Sequence, residues 1–278
     1  MSPSSRRARF VGGALAALVA APTSVSAQGA LVLARLSLVE RTVEIDRRDG
    51  TWQAAAEGSP LQVGEALRTG PDAVARLELP WMALTLGPGA TLRVPDEFLL
   101  SASLESGRAL VESQGRDALK IVTGEAEVRG QGRAVVRRRG RATLVTCLSG
   151  RFFVQGGDGT VTLAAGRGTV VVAGRLPTAP EATPPAPAAA TLWPGKDPVY
   201  VAPGEPLELR WKGDAPGYQL ELLPVGSEVV LLQRDVASSP ARIEVPWEGA
   251  FRWRVSARDG RGLEGVPSED GLIAVDEK

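Results

Sequence analysis

Histidine is absent from all 278 residues, and cysteine occurs once, at Cys147. Imidazole is the group that most often ligates metals and most often moves protons near neutral pH. Its absence excludes Ser-His-Asp and Cys-His catalysis, together with any zinc site built from histidines or several cysteines. A single thiol cannot close an intramolecular disulfide, so the fold must be held by packing. Cys147 lies in the apolar run Thr143 to Leu148 and reads as a small buried hydrophobe. Long apolar runs are scarce as well. Phe10 to Ala21 is about a dozen residues, short of the ~20 that cross a bilayer. Charge of one sign is also lacking: 32 basic residues face 32 acidic ones, which leaves no electrostatic footprint for nucleic acid.

What is present starts with Arg6, Arg7 and Arg9 ahead of that apolar run, Pro22 behind it, and the small-residue pattern Val25-Ser26-Ala27. Together these read as a secretory signal peptide over residues 1–27, cleaved after Ala27. The expected location is periplasmic or secreted, with no transmembrane segment in the mature chain. Removing the three arginines leaves 29 basic against 32 acidic residues.

Composition then divides the rest. Residues 176–190 are almost wholly proline, alanine and threonine, a linker that favours extended polyproline conformations and acts as a semi-rigid spacer. Before it, over 30–175, short branched runs such as Val74 to Leu79, Ala83 to Leu86, Ala109 to Glu112, Lys120 to Thr123 and Ala134 to Arg137 alternate with closely spaced glycines. That pattern predicts short strands joined by tight turns. Three related phrases, Ser106-Gly107-Arg108, Gly130-Gln131-Gly132-Arg133 and Ser149-Gly150-Arg151, are each read as a turn feeding a strand. Imperfect repetition of this kind predicts a β-roll or solenoid-like stack. After the linker, over 191–278, seven strand candidates suggest a sandwich. Leu207, Leu209 and Trp211 alternate with Glu208 and Arg210, and Phe251, Trp253 and Val255 alternate with Arg252 and Arg254, one face expected inward and the other in water.

Two resemblances follow from these residues. Asp49-Gly50-Thr51-Trp52, Gly58, Leu61, Gly64, Leu67-Arg68-Thr69-Gly70 and the run Ala75 to Leu79 resemble the opening signature of the FecR domain. The aromatic pair Trp211 and Trp253, with Asp259-Gly260-Arg261-Gly262 after the late strand, resembles fibronectin type III and immunoglobulin-like modules. The expected fold is therefore all-β: a FecR-like roll followed by a fibronectin-type sandwich. The FecR resemblance implies a periplasmic sensory or scaffolding module, since founding members relay a signal from an outer-membrane iron transporter to a sigma factor. This sequence shows no helical segment to hold a sigma factor and no membrane helix to carry a signal, which separates it from that founding role.

Candidate chemistry is sparse. Asp96 with Glu97 and Glu125 with Glu127 are carboxylate neighbours that could in principle cleave a glycoside, but adjacency in sequence does not set the separation that reaction needs. Gly156-Gly157-Asp158-Gly159 lacks the oxygen ligands of a calcium loop and reads as a hairpin turn. Arg68 invites either a carboxylate-gripping role or a local pairing with Glu65 or Asp72 that fixes its turn. Arg129, Arg133, Arg137, Arg138, Arg139 and Arg141 place six positive charges within thirteen positions, as a contact for anionic polymer or as a solvated edge. The expectation is a non-enzymatic envelope protein without cofactor or metal, binding an envelope protein or cell-wall polymer. The alternatives are a signalling component acting with a separately encoded anti-sigma partner and, third, an envelope glycan hydrolase.

Overall fold

The computed structural model describes residues 32–79, 82–95, 101–114 and 120–276. The signal-peptide segment and the Asp96–Glu97 pair lie outside them. Everything described is strand, turn or loop apart from one short 3-10 turn at Ala189–Thr191.

The central lobe carries β1 (Val32–Glu40), β2 (Val43–Asp46), β3 (Trp52–Ala54), β4 (Pro60–Gln62), β5 (Ala66–Thr69), β6 (Val74–Leu79), β7 (Met82–Leu86) and β8 (Thr91–Arg93). These are followed by β9 (Ser101–Ser113), β10 (Lys120–Val122), β11 (Glu127–Arg139), β12 (Ala142–Gly156), β13 (Gly159–Ala164), β14 (Arg167–Val172) and β15 (Glu181–Ala182). All fifteen belong to one hydrogen-bonded sheet that folds over itself. Three long strands make the fold possible, because their two halves serve different neighbours. The first half of β9 pairs with β8 and β10, the second with β7 and β11. Likewise β12 pairs with β14 through Ala142–Cys147 and with β13 through Arg151–Gly156. Two layers result, and Leu36, Leu77, Leu84 and Val111 from one meet Ile45, Leu67, Leu92 and Leu104 from the other in a single apolar core. Burying each such side chain is worth roughly 1.5–3 kcal/mol.

The expected roll is thus present, but its glycines act differently from the expectation. Gly107, Gly132 and Gly150 are not turns between strands; they are bends inside β9, β11 and β12. Gly132 and Gly150 are cross-strand partners with φ of 114° and 79°, and a Cβ on either would overlap the backbone of the other strand. Only glycine lets the two strands bend together at this point. The β12–β13 turn at Gly157-Asp158 is the hairpin expected from sequence.

The C-terminal lobe is a sandwich of β16 (Val199–Val201), β17 (Pro206–Leu209), β18 (Gly217–Pro224), β19 (Leu232–Val236), β20 (Ala241–Glu244), β21 (Gly249–Arg258) and β22 (Gly271–Val275). Five strands, in the order β16-β22-β21-β18-β19, face a two-stranded sheet of β17 and β20. Trp211 packs edge-on to Tyr218 at 5.2 Å and tilted against Trp253 at 6.3 Å, and the Trp253 indole donates to the Pro194 carbonyl at 3.0 Å. The aromatic core inferred from sequence is therefore where it was expected.

The Pro/Ala-rich stretch is docked along the central sheet. Glu181–Ala182 adds a short edge strand to β14, and the Thr178 N–H donates to the Val170 carbonyl at 3.0 Å. The Arg261 guanidinium then grips both Glu181 oxygens at 3.0 and 2.8 Å, tying the stretch to the C-terminal lobe.

Candidate interaction surface and the charge network between the lobes

Alternation along β11 splits its five arginines between faces, and the sixth, Arg141, sits in the β11–β12 turn. Arg138 points to one side, where its guanidinium donates to both Glu125 oxygens at 3.0 and 3.1 Å and also to the Glu105 carbonyl. Those bonds are the largest influence on Glu125 and hold its carboxyl below the usual range despite burial, with the Thr143 hydroxyl adding a third donor at 3.0 Å. Arg133 and Arg137 point the other way, toward the C-terminal lobe. Arg133 lies 3.3 Å from Glu112 and 3.6 Å from Glu228, while Arg137 donates to Asp235 at 2.9 Å and to the Gln219 amide oxygen at 2.8 Å. Arg129, Arg139 and Arg141 are exposed, and among the described residues they form no ion pair. The stretch is therefore not one basic patch. Half of it is internal, and the other half is on the surface.

At the two-stranded sheet Arg210 is exposed, as the alternation predicts, but the polar face of the five-stranded sheet, Arg254 included, does not meet water. Gln219, Glu221, Gln233, Arg254 and Ser256 are all buried, because the polar face of β9, β11 and β12 covers them. Arg108 on β9 is the hub, only 5% exposed. Its Nε and Nη2 donate to the two Glu264 oxygens at 2.9 and 2.7 Å, and Nη2 also reaches Glu221 at 3.0 Å. The Arg254 Nε donates to the other Glu221 oxygen at 2.8 Å, and the Gln233 amide donates to Glu221 at 3.2 Å. Arg258 shares Asp235 with Arg137, at 2.7 Å, and the Thr146 hydroxyl donates to the Glu264 carbonyl at 2.7 Å. Burial opposes ionisation of Arg108 most strongly, yet Glu264 and Glu221 together raise its pKa above the ordinary arginine value. Burial likewise works against Glu221 and Asp235, but the facing arginines outweigh it and hold both carboxyls below the usual range. Alternation marks a polar face, but it cannot distinguish solvent from a second lobe of complementary charge.

Beside this network is a cavity of about 360 Å³, bounded by the Pro71-Asp72 and Pro88 loops of the central lobe and by β18 and β19 of the sandwich. Arg108, Arg137 and Gln233 line it. A second cavity of about 540 Å³ lies between Ala182–Ala188 and Lys212–Pro216. Among the described residues no three Cys, Asp or Glu side chains converge as a metal site would require.

Other sequence candidates resolve as follows. Arg68 pairs with neither Glu65 nor Asp72. Its Nε donates to Glu44 at 2.6 Å on the neighbouring strand β2 while its guanidinium stacks 4.2 Å over the Trp52 ring. Glu65 is taken by Arg47 at 2.8 Å, and Asp72 lies 3.9 Å from Arg41. Cross-strand neighbours, invisible in the linear sequence, won over near ones. Of the Glu125–Glu127 pair, Glu125 is tied to Arg138 and Glu127 accepts from Lys120 at 2.9 Å. Cys147 is buried in the core, and desolvation pushes its thiol up to about 11.

No protein-family model matches the chain, and no curated protein matches it. Among solved structures, two crystal structures, each of a provisionally assigned anti-sigma factor from Parabacteroides distasonis, align with 17% identity and a TM-score of 0.36. The alignments cover 42% and 44% of this chain and 60% and 68% of those chains, so the first is matched over less than two-thirds of its length. A run of titin domains aligns over 84% of this chain and 88% of its own, at 12% identity and a TM-score of 0.26. None of these likenesses bears on what this chain binds.

Proposed function

We propose that this chain is an exported, non-catalytic binding scaffold of the cell envelope, which presents the outer rim of its central lobe to an anionic cell-wall polymer or an envelope protein. The observation that carries the reading is the division of the arginines: Arg133, Arg137 and Arg138 lock the body together, while Arg129, Arg139 and Arg141 stay exposed on β11 and the β11–β12 turn. Exposed guanidinium groups on a stiff sheet are suited to phosphate or carboxylate. The side chains best placed for covalent chemistry are otherwise engaged. Glu125 is an acceptor for Arg138, and the Cys147 thiol is buried and stays protonated at neutral pH.

The test is capture of anionic envelope polymer by the mature protein and by Arg129→Gln/Arg139→Gln/Arg141→Gln. Capture lost in the triple variant, with its melting temperature unchanged, supports the reading; equal capture removes the rim arginines from it. A second reading, a signalling component acting with a separate anti-sigma partner, draws on the likeness of Asp49 to Gly70 to the FecR signature. Co-purification with an inner-membrane protein from native envelopes is its test.

A further inference from the structure

One outward sheet face of the central lobe runs without a break from β2 through β5, β8, β9, β10 and β11 to β12 and β13. Over most of it, charges are matched between strands: Arg68 with Glu44 at 2.6 Å, Arg93 with Glu105 at 2.8 Å and Lys120 with Glu127 at 2.9 Å. Opposite charges facing each other in this way stabilise a sheet. The pattern ends at β12. Arg129 stands directly across from Phe153, and Arg151 across from Gln131. Both arginines are exposed, and among the described residues neither guanidinium has an ion pair or a hydrogen bond. They are diagonal neighbours, with Cα atoms about 7–8 Å apart by sheet geometry. Phe153 beside them is 41% exposed, the one exposed aromatic ring of the central lobe among the described residues. A carboxylate in place of that ring would have continued the pairing, so sheet stability does not account for the arrangement.

The surroundings are polar and net positive. Thr162 lies across from Phe153 and Thr160 across from Gln155, all but the ring being exposed polar side chains. At the Gly132–Gly150 bend, Gln114, Gln131 and Arg151 form part of the wall of a groove of about 600 Å³. Glu112, near Gln114, is matched by Arg76 and Arg133. At the margins, Asp158 in the β12–β13 turn is outnumbered by Arg175 beside that turn and Arg167 beyond β13. A sugar ring offers a C–H face to a phenyl ring and hydroxyls to amide and hydroxyl side chains, and a carboxylate on that sugar is held by a guanidinium fork. A ringless polyanion would leave Phe153 uncovered, and a neutral sugar would leave both guanidinium groups unmatched. Single-stranded nucleic acid also stacks on aromatic rings, but it needs cations that track its backbone along a groove, and here the two are confined to one diagonal.

We infer that the exposed face of β11–β13 around Arg129, Arg151 and Phe153 binds a uronic-acid saccharide, with the sugar ring on Phe153 and its carboxylate on the two arginines. The inference rests on the polymer-binding reading above and names the chemical class of that polymer.

The mature protein is titrated by calorimetry with trigalacturonate, with maltotriose as the neutral ring, tripolyphosphate as the ringless anion and an oligothymidylate as the nucleic acid. The expected result is saturable binding of trigalacturonate, at least about tenfold tighter than any of the three comparisons and weakened about tenfold or more by Phe153→Thr and by Arg151→Gln. Both substitutions are at exposed strand positions, Phe153→Thr leaves the net charge unchanged, and circular dichroism melts identify whichever variant keeps the fold. No saturable trigalacturonate binding overturns the inference, as does binding that is unchanged in the folded variants or matched by a comparison ligand. Self-association that Phe153→Thr abolishes, without trigalacturonate binding, would assign the face to a second copy of the chain and overturn it equally. Trigalacturonate binding that falls only in Arg139→Gln/Arg141→Gln overturns it too, while leaving the broader polymer-binding reading in place.

Discussion

Arg108 stands at the residue scale as the side chain on which both lobes converge. Replacing it by Met leaves buried Glu221 with Arg254 alone and buried Glu264 with only the 3.6 Å approach of Arg137, and breaking one side of a buried ion pair costs about 3–5 kcal/mol. Denaturant unfolding of Arg108→Met is expected to show a loss of that order, whereas Arg242→Met, an exposed arginine 3.6 Å from Glu208, should lose less than about 1 kcal/mol. Acid should act on the same network. Glu221 and Asp235 have pKa values depressed by folding, so their stabilisation is complete above the unfolded-state value near 4 and fades as pH falls through the lower folded-state values. The melting temperature is therefore expected to be flat from about pH 7 to 5 and to fall below about pH 4; a fall beginning near pH 6 would point to other groups. None of these partnerships was legible in the sequence. Arg108 and Glu264 are 156 residues apart, and the sequence placed Arg108 only in a turn feeding a strand.

At the scale of the element, alternation and glycine spacing located most strands, including the seven of the sandwich, because both are local signals. What they missed was length. The β9, β11 and β12 strands run 13, 13 and 15 residues through glycines that the sequence reading made into turns. A positive-φ glycine looks the same in sequence whether it ends a strand or bends one; the difference lies in the strand paired beside it. The bend is testable. Gly50 is also at positive φ, but with open space around a Cβ, so Gly50→Ala should cost roughly 1–2 kcal/mol from backbone strain alone. Gly132→Ala and Gly150→Ala add overlap with rigid backbone and should each cost more than that; equal costs for all three would show that the strands do not bend together there.

For the whole molecule, the sequence offered two domains and a spacer, and the structure shows two sheet lobes joined through facing polar surfaces, with the intervening stretch pinned by Glu181 and Arg261. A buried ionic junction has little tolerance for sliding, because each displaced charge would be left desolvated and unpaired. Rigidity is also what lets loops from one lobe and strands from the other share a cavity. The most direct test is the distance distribution between spin labels at Asp158→Cys on the central lobe and Val225→Cys on the sandwich, both exposed sites, with buried Cys147 left in place. One narrow peak at neutral pH is the predicted result, broadening when Arg108→Met is introduced. A broad distribution in the otherwise unaltered protein would contradict the account.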